Sequence, residues 1–192
     1  YVNQVGAQTE LIFDGGSVVM DAKGSLLEEL SYFDEELRIV DVGSERSEVG
    51  SLKAKVRSQI ADIHQALVLG IRDYFQKSGF SKAILGLSGG IDSAVVLALA
   101  VEALGKDNVM SVLMPSEFSS DHSVSDSEEM VQKLHSKHEI IAIKDLYDSY
   151  THTLSPQFAG LPFNLAEENL QARIRGTVLM AMSNKFGYIL LN

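Results

Sequence analysis

Residues 83–104 read AILGLSGGIDSAVVLALAVEAL. Five mostly apolar residues lead into Ser88-Gly89-Gly90-Ile91-Asp92-Ser93, and an alanine- and leucine-rich run follows. That is the pattern of a buried strand, a small-residue turn and a helix. A short glycine pair at such a junction lets backbone N–H groups converge on an anion where the helix begins. The string is not the longer GxxxxGK[ST] phosphate loop, because no lysine follows the glycines, and it is not GxGxxG. A tight strand-to-helix turn in an ordinary α/β domain would account for Gly-Gly alone; the full six-residue string, set between a buried strand and a helix, favours an anion site over that reading.

The rest of the chain alternates in the same way. Val109 to Met114 reads as a second strand capped by Pro115, Ile140 to Ile143 as a third, and the run after Gly187 to Asn192 as a fourth. Helical patterns separate them: residues 93–104, a segment capped by Ser125 or Asp126 and reaching about His135, a short helix over 145–154, and a longer one reaching about Ser183. In the last, Leu170, Ile174, Val178 and Ala181 mark the expected buried stripe, and Pro156 to Pro162 reads as a loop before it. Strand and helix in alternation predict a parallel sheet covered on both faces, a three-layer α/β/α arrangement. Ahead of it, residues 51–77 carry Val56, Ile60, Ile63, Leu67, Ile71 and Phe75 at helical spacing, with Gly79 as terminator. His64 falls in the polar part of that helix and is read as a surface residue.

Residues 1–30 read as hairpin material, with Asp14-Gly15-Gly16 and Asp21 to Gly24 as turn signals; Leu26–Leu30 is a strand or helical turn, and residues 34–42 are another possible strand. Hairpins of this length need a partner to bury them. The polar stretch Gly43 to Gly50 is a linker.

Charge is uneven. The net charge is -10, yet residues 1–50 hold 11 acidic and 3 basic side chains while residues 51–192 hold 15 and 13. No basic tract suggests a nucleic-acid groove. The sequence has no cysteine, so a disulfide, a thiolate metal site and a cysteine nucleophile are excluded for these residues. No apolar run reaches membrane-spanning length, and the cytoplasm is the default setting. The abrupt start at Tyr1 and the stop straight after Tyr188-Ile189-Leu190-Leu191 suggest a fragment of a longer protein.

SGGIDS resembles the pyrophosphate-binding loop of the ATP-pyrophosphatase superfamily, which splits ATP between the α and β phosphates to adenylate a substrate. ENLQARIRG, residues 168–176, resembles the EENLQARxRG segment of the glutamine-dependent NAD synthetases, and Met114-Pro115-Ser116 with Ser119-Ser120 resembles their MPS…SS segment. YVNQVGAQTELIFDGGSVVMDAKG is similar to the closing part of the nitrilase-like glutaminase domain found ahead of that synthetase. The resemblance implies an adenine-nucleotide-hydrolase-like, Rossmann-like sheet over residues 51–192, cut after the fourth strand, with residues 1–42 the remnant of the glutaminase domain and 43–50 a linker. That domain's glutamate, lysine and cysteine triad would lie upstream; Glu10 and Glu28 are given no catalytic role.

The implied reaction amidates deamido-NAD to NAD through an acyl-adenylate, with ATP and Mg²⁺, ammonia arriving from the upstream glutaminase domain. For the ATP and pyrophosphate site the expected residues are Leu87, Ser88, Gly89, Gly90, Ile91, Asp92, Ser93 and Met114. The glycines let amides face a pyrophosphate, and the serines can donate to it or cap the helix. Asp92 can cap the helix or hold Mg²⁺; a bare carboxylate beside phosphates would repel them, which favours metal ligation. Leu113 and Met114 are expected near adenine, and Ser119, Ser120 and Ser123 near the mouth; His122 is given no role. For deamido-NAD the expected residues are Asn169, Arg173 and, less firmly tied, Arg175, since arginines two apart on a helix point in different directions. No protein nucleophile is expected. Expected partners are these small molecules and further copies of the chain through the synthetase domain, with neither nucleic acid nor membrane. Because the family continues past Leu-Leu-Asn with further ATP contacts, the fragment alone is expected to be inactive. Two other readings stay open: a GMP-synthetase-like amidotransferase ligase, and a non-catalytic nucleotide-binding or assembly module.

Overall fold

The computed structural model describes residues 1–41, 58–116 and 121–192. The linker over 43–50, the helix start around Val56 and Arg57, and Ser119 and Ser120 lie outside the described residues. The chain divides into two compact units, Tyr1–Ser78 and Gly79–Asn192.

In the first unit, β1 (Val5–Gln8) pairs antiparallel with β2 (Leu11–Asp14), and β3 (Val18–Met20) pairs with β4 (Leu26–Glu29). The tight turn of the first hairpin is Thr9-Glu10, with Thr9 at φ 54°, not the glycine pair that the sequence suggested. Gly15 and Gly16 instead join the hairpins where residues 31–33 cross close by: a Cβ on Gly16 would stand 2.0 Å from the Tyr32 ring. Residues 34–41 form no strand. Helix α1 (Gln59–Ser78) is tied to β1 through Asp73, whose carboxylate accepts the Ala7 amide at 2.7 Å and the Lys77 ammonium at 3.0 Å. Its buried residues are Val68, Leu69 and Phe75. The expected stripe therefore needs correction, because Ile60, Ile63 and Leu67 are exposed, Ile60 to 81%. The face that meets β1 and β2 is the one carrying Asp73 and Gly70, where a Cβ would touch Ile12 at 3.4 Å.

The second unit is the three-layer α/β fold that the alternation predicts. Strands β5 (Ala83–Leu87), β6 (Val109–Leu113), β7 (Lys137–Ile140) and β8 (Ile189–Leu191) form one parallel sheet in the order β7-β6-β5-β8. Alternate strand residues face opposite layers. Leu85, Leu87, Val109 and Leu113 pack with Leu97 and Ala100 of α2 (Ile91–Leu104) and Val131 of α3 (Asp121–Leu134). Ile84 and Val112 pack on the other side with Ile143, just ahead of α4 (Lys144–Phe158), and with Ile174 and Leu179 of α5 (Leu165–Phe186). The chain goes from β5 to β6 on one side and returns to β8 on the other. Open sheets place ligands at such a reversal, beyond the strand C-termini.

Several boundaries differ from expectation, each for a local reason. β7 lies at 137–140 rather than 140–143: an edge strand tolerates Lys137, His138 and Glu139, all exposed, while the apolar Ile143 is fully buried at the N-terminus of α4. Helix α4 continues through Pro156, where the Ser155 hydroxyl donates to the His152 carbonyl that the missing N–H cannot reach. Helix α3 starts at Asp121, so Ser125 and Asp126 are interior and not caps; the Ser125 and Ser127 hydroxyls donate back to the carbonyls of His122 and Ser123. Helix α5 is capped by Asn164, whose side chain accepts the Ala166 amide at 2.8 Å while Glu167 accepts the Asn164 amide at 2.9 Å. It buries Gln171, Ile174, Leu179 and Ser183, whereas Ala181 of the expected stripe is exposed. Among the described residues no helix is long and apolar enough to cross a membrane.

Candidate functional site

The glycine pair determines how the turn after β5 is built. Gly89 sits at φ 81°, a left-handed conformation costly for other residues, and a Cβ there would stand 2.5 Å from the Ser123 carbonyl oxygen. The first turn of α3 is thus seated directly on the glycine backbone. Gly90 is the N-cap of α2 and supplies no side-chain cap, so the first amides of that helix receive no side-chain acceptor from it. Partial positive charge gathers there.

The two serines complete the turn among themselves. Ser93 Oγ accepts the Ser88 amide at 3.2 Å, donates to the Gly90 carbonyl at 2.9 Å and lies 3.1 Å from Ser88 Oγ, which in turn accepts the Gly90 amide at 3.3 Å. These bonds hold the loop open in one shape before any ligand arrives. Asp92 lies in the first turn of α2, exposed, and does not act as the cap.

A cavity of about 800 Å³ opens beyond the C-terminal ends of β5, β6 and β8. Leu87, Ser88, Asp92, Ser93, Leu113, Met114, Ser123 and Arg175 line it together, so eight of the residues expected from the sequence meet at one place. Gly89, Gly90 and Ile91 instead border a smaller hollow of about 240 Å³ with Asp126 and Met130 of α3, and the Ile91 side chain is 75% exposed. Asn169 and Arg173 do not line the main cavity. They are exposed on α5, where Arg173 Nη1 donates to the Asn169 carbonyl at 3.2 Å. Helical geometry puts them within about 60° of Gly176 and Met180, which do line it.

Arg175 brings a positive charge to the wall. Its Nε donates to the Met114 carbonyl at 3.2 Å and its Nη2 to Ser116 Oγ at 3.3 Å. Burial pulls its guanidinium down from the ordinary value, yet a guanidinium remains cationic at any physiological pH. Across the floor, Gly86 makes room for the neighbouring side chains: a Cβ there would stand 3.1 Å from Leu179 Cδ1 and 3.3 Å from Met114 Cε.

Sequence reasoning missed part of the lining. Val124 and Ser127 enter because α3 starts early and leans on Gly89, a contact no spacing reveals. Ala172, Gly176, Leu179 and Met180 enter from α5. Their signal was present: 172, 175, 176, 179 and 180 form one helical face, with small residues where the cavity needs space. Among the described residues no three His, Cys, Asp or Glu side chains gather as a metal site. Asp92 is the acidic side chain at this cavity that could ligate a cation.

A glycine-braced turn, a helix N-terminus and a mixed polar and apolar cavity suit a phosphorylated nucleoside. The family model described as NAD synthase matches residues 63–192. A glutamine-dependent NAD(+) synthetase of Synechocystis sp. is 48% identical over 194 residues, covering 100% of this chain and 35% of that protein. The solved structure of glutamine-dependent NAD+ synthetase from Acinetobacter baumannii in complex with adenosine diphosphate is 40% identical with a TM-score of 0.87, over 99% of this chain and 36% of the other. The NH3-dependent NAD synthetase of Campylobacter jejuni, solved with nitrate, is 28% identical with a TM-score of 0.62, over 69% of this chain and 56% of its own. The chain thus spans about a third of the length of the curated relatives it matches.

Proposed function

This chain belongs to the NAD synthase family, and we propose that it serves the ATP-dependent amidation of deamido-NAD to NAD. The observation that carries the proposal is the cavity that Ser88, Asp92 and Ser93 of the turn share with Arg175 and Gly176 of α5. The relative holding adenosine diphosphate supports adenine nucleotide as its occupant. In this reading residues 51–192 belong to the synthetase domain and residues 1–42 end a nitrilase-like glutaminase domain, which supplies ammonia from glutamine. The reaction is set in the cytoplasm, and copies of the chain associate through the synthetase domain.

The chemistry runs in two steps. The nicotinic acid carboxylate of deamido-NAD attacks the α-phosphorus of ATP; the bond from that phosphorus to the bridging oxygen breaks, and pyrophosphate leaves. Ammonia then attacks the carbonyl carbon of the acyl-adenylate, AMP departs with the bonding pair, and the nitrogen gives up a proton. The first step needs in-line placement and charge neutralisation more than a protein nucleophile. The amides at the start of α2 face the departing pyrophosphate and the Ser88 hydroxyl donates to its oxygens, while the Ser93 hydroxyl stays on the Gly90 carbonyl and braces the turn. Asp92 would hold Mg²⁺, which supplies charge neutralisation on the phosphates. Leu87 and Met114 line the adenine end. Asn169 and Arg173 bind deamido-NAD.

Calorimetry with ATP present tests the substrate. Deamido-NAD binds the chain and xanthosine monophosphate does not; the reverse order would overturn the assignment in favour of a GMP-synthetase-like ligase.

A further inference from the structure

The backbone leaving β6 is extended, and its carbonyls alternate in direction. The Leu113 and Pro115 carbonyls accept the amides of Ile141 and Ile143 at 2.8 and 3.1 Å, on the side of β7. The Met114 carbonyl between them points the other way, toward where β5 would supply a partner. But β5 pairs only as far as Leu87 with Leu113, and at Ser88-Gly89 the chain turns away into the phosphate-facing loop. Met114 is only 8% exposed, so its carbonyl would be left unpaired in a buried setting. Arg175 Nε fills that position at 3.2 Å, and Nη2 holds Ser116 Oγ two residues on.

We propose that Arg175 is a positioning residue: it replaces the missing ladder partner of Met114 and clamps Met114 to Ser116 as the nucleoside wall of the cavity. It acts on ligand through that wall rather than by touching phosphate. The identity of the ligand rests on the adenine-nucleotide reading above; the clamp itself does not. The same turn that frees β5 to face phosphate takes the hydrogen-bond partner away from Met114, and α5 returns one. The fork geometry is essential here, since a lysine offers a single compact charge and cannot serve both oxygens along one plane.

Hydrogen–deuterium exchange on the whole chain without ligand reads the clamp directly. Arg175→Met speeds exchange across residues 113–116 by about five- to thirtyfold, the range of one lost buried partner. Arg175→Lys, which keeps the charge and loses the fork, does not restore protection. Calorimetry then grades adenosine, AMP, ADP and ATP. Arg175→Met and Ser116→Ala weaken all four by a similar factor, and the double variant is no weaker than Arg175→Met alone, because both act on one segment. A loss that grows with the number of phosphates, with exchange over 113–116 unchanged, overturns the proposal. If Arg175→Met fails to fold, Ser116→Ala carries both readouts with the same two outcomes. A wild-type chain without affinity for any of the four overturns the adenine-nucleotide reading, while the exchange result still decides the clamp.

Discussion

Gly89 and Ser123 stand so close that no side chain fits between them: a Cβ on Gly89 would lie 2.5 Å from the Ser123 carbonyl oxygen and 2.7 Å from its Cα. The turn after β5 and the first turn of α3 are therefore one surface. Gly89→Ala meets that backbone contact and also a φ of 81°. The left-handed conformation alone costs about 1–2 kcal/mol, and the contact adds displacement of α3. Thermal melting is expected to fall, and ATP affinity to fall further than stability alone explains. A variant that binds ATP normally would show that the seat of α3 does not shape the site.

Asp92 separates binding from folding. It is exposed and does not cap α2, so Asp92→Asn is expected to change stability by no more than about 0.5 kcal/mol. Affinity for ATP in Mg²⁺ falls at least about tenfold, or about 1.4 kcal/mol, and the difference between variant and wild type shrinks when EDTA is present. Equal losses with and without Mg²⁺ would remove the metal role.

Asn164 tests the platform beneath the proposed dinucleotide residues. Its capping box with Glu167 satisfies two backbone donors at the start of α5. Asn164→Ala is expected to cost about 1 kcal/mol, seen in a urea midpoint, with ATP affinity nearly unchanged.

Acid should loosen the first unit in a predictable order. Burial acts to raise the Asp73 carboxyl, but the Ala7 amide and Lys77 outweigh it and hold its pKa below the ordinary 3.8. A folded-state pKa below the unfolded value stabilises above the unfolded pKa and is lost as pH falls through the folded one. The Asp73 contribution is thus intact above about pH 4 and disappears below it. The Arg38 guanidinium and the Ser31 amide hold Glu36 down to about 2 from 4.5, giving the same sign over that window. Glu36 is exposed, so its share is small. Urea midpoints for Asp73→Asn against wild type should differ at pH 7 and converge toward pH 3. A gap that widens in acid contradicts the sign.

The strand–turn–helix core of the site was legible because its signals are local. Five apolar residues, two glycines and an alanine-rich helix carry their own geometry, and Ala83–Leu87 came out with the expected bounds. What escaped depended on partners distant in sequence. A polar edge strand at 137–140 looks like a helix end until its neighbour is known. Pro156 reads as a breaker until Ser155 is seen occupying the carbonyl it vacates. Ile60, Ile63 and Leu67 match a buried stripe by spacing, yet α1 turns its Asp73 face to β1. The site showed the same division. Ser88, Asp92 and Ser93 line the cavity as their string suggested, whereas Ser127 and Val124 line it only because Gly89 lets α3 approach.

In the proposed function the Ser88–Ser93 turn binds the phosphates of ATP with a cation on Asp92. Titrating ATP into the chain by calorimetry, in Mg²⁺ and then in EDTA, tests it most directly. Saturable binding at one site is expected in Mg²⁺, weakened by EDTA, by Asp92→Asn and by Gly89→Ala. Binding that is indifferent to Mg²⁺ and unchanged by Gly89→Ala would contradict it.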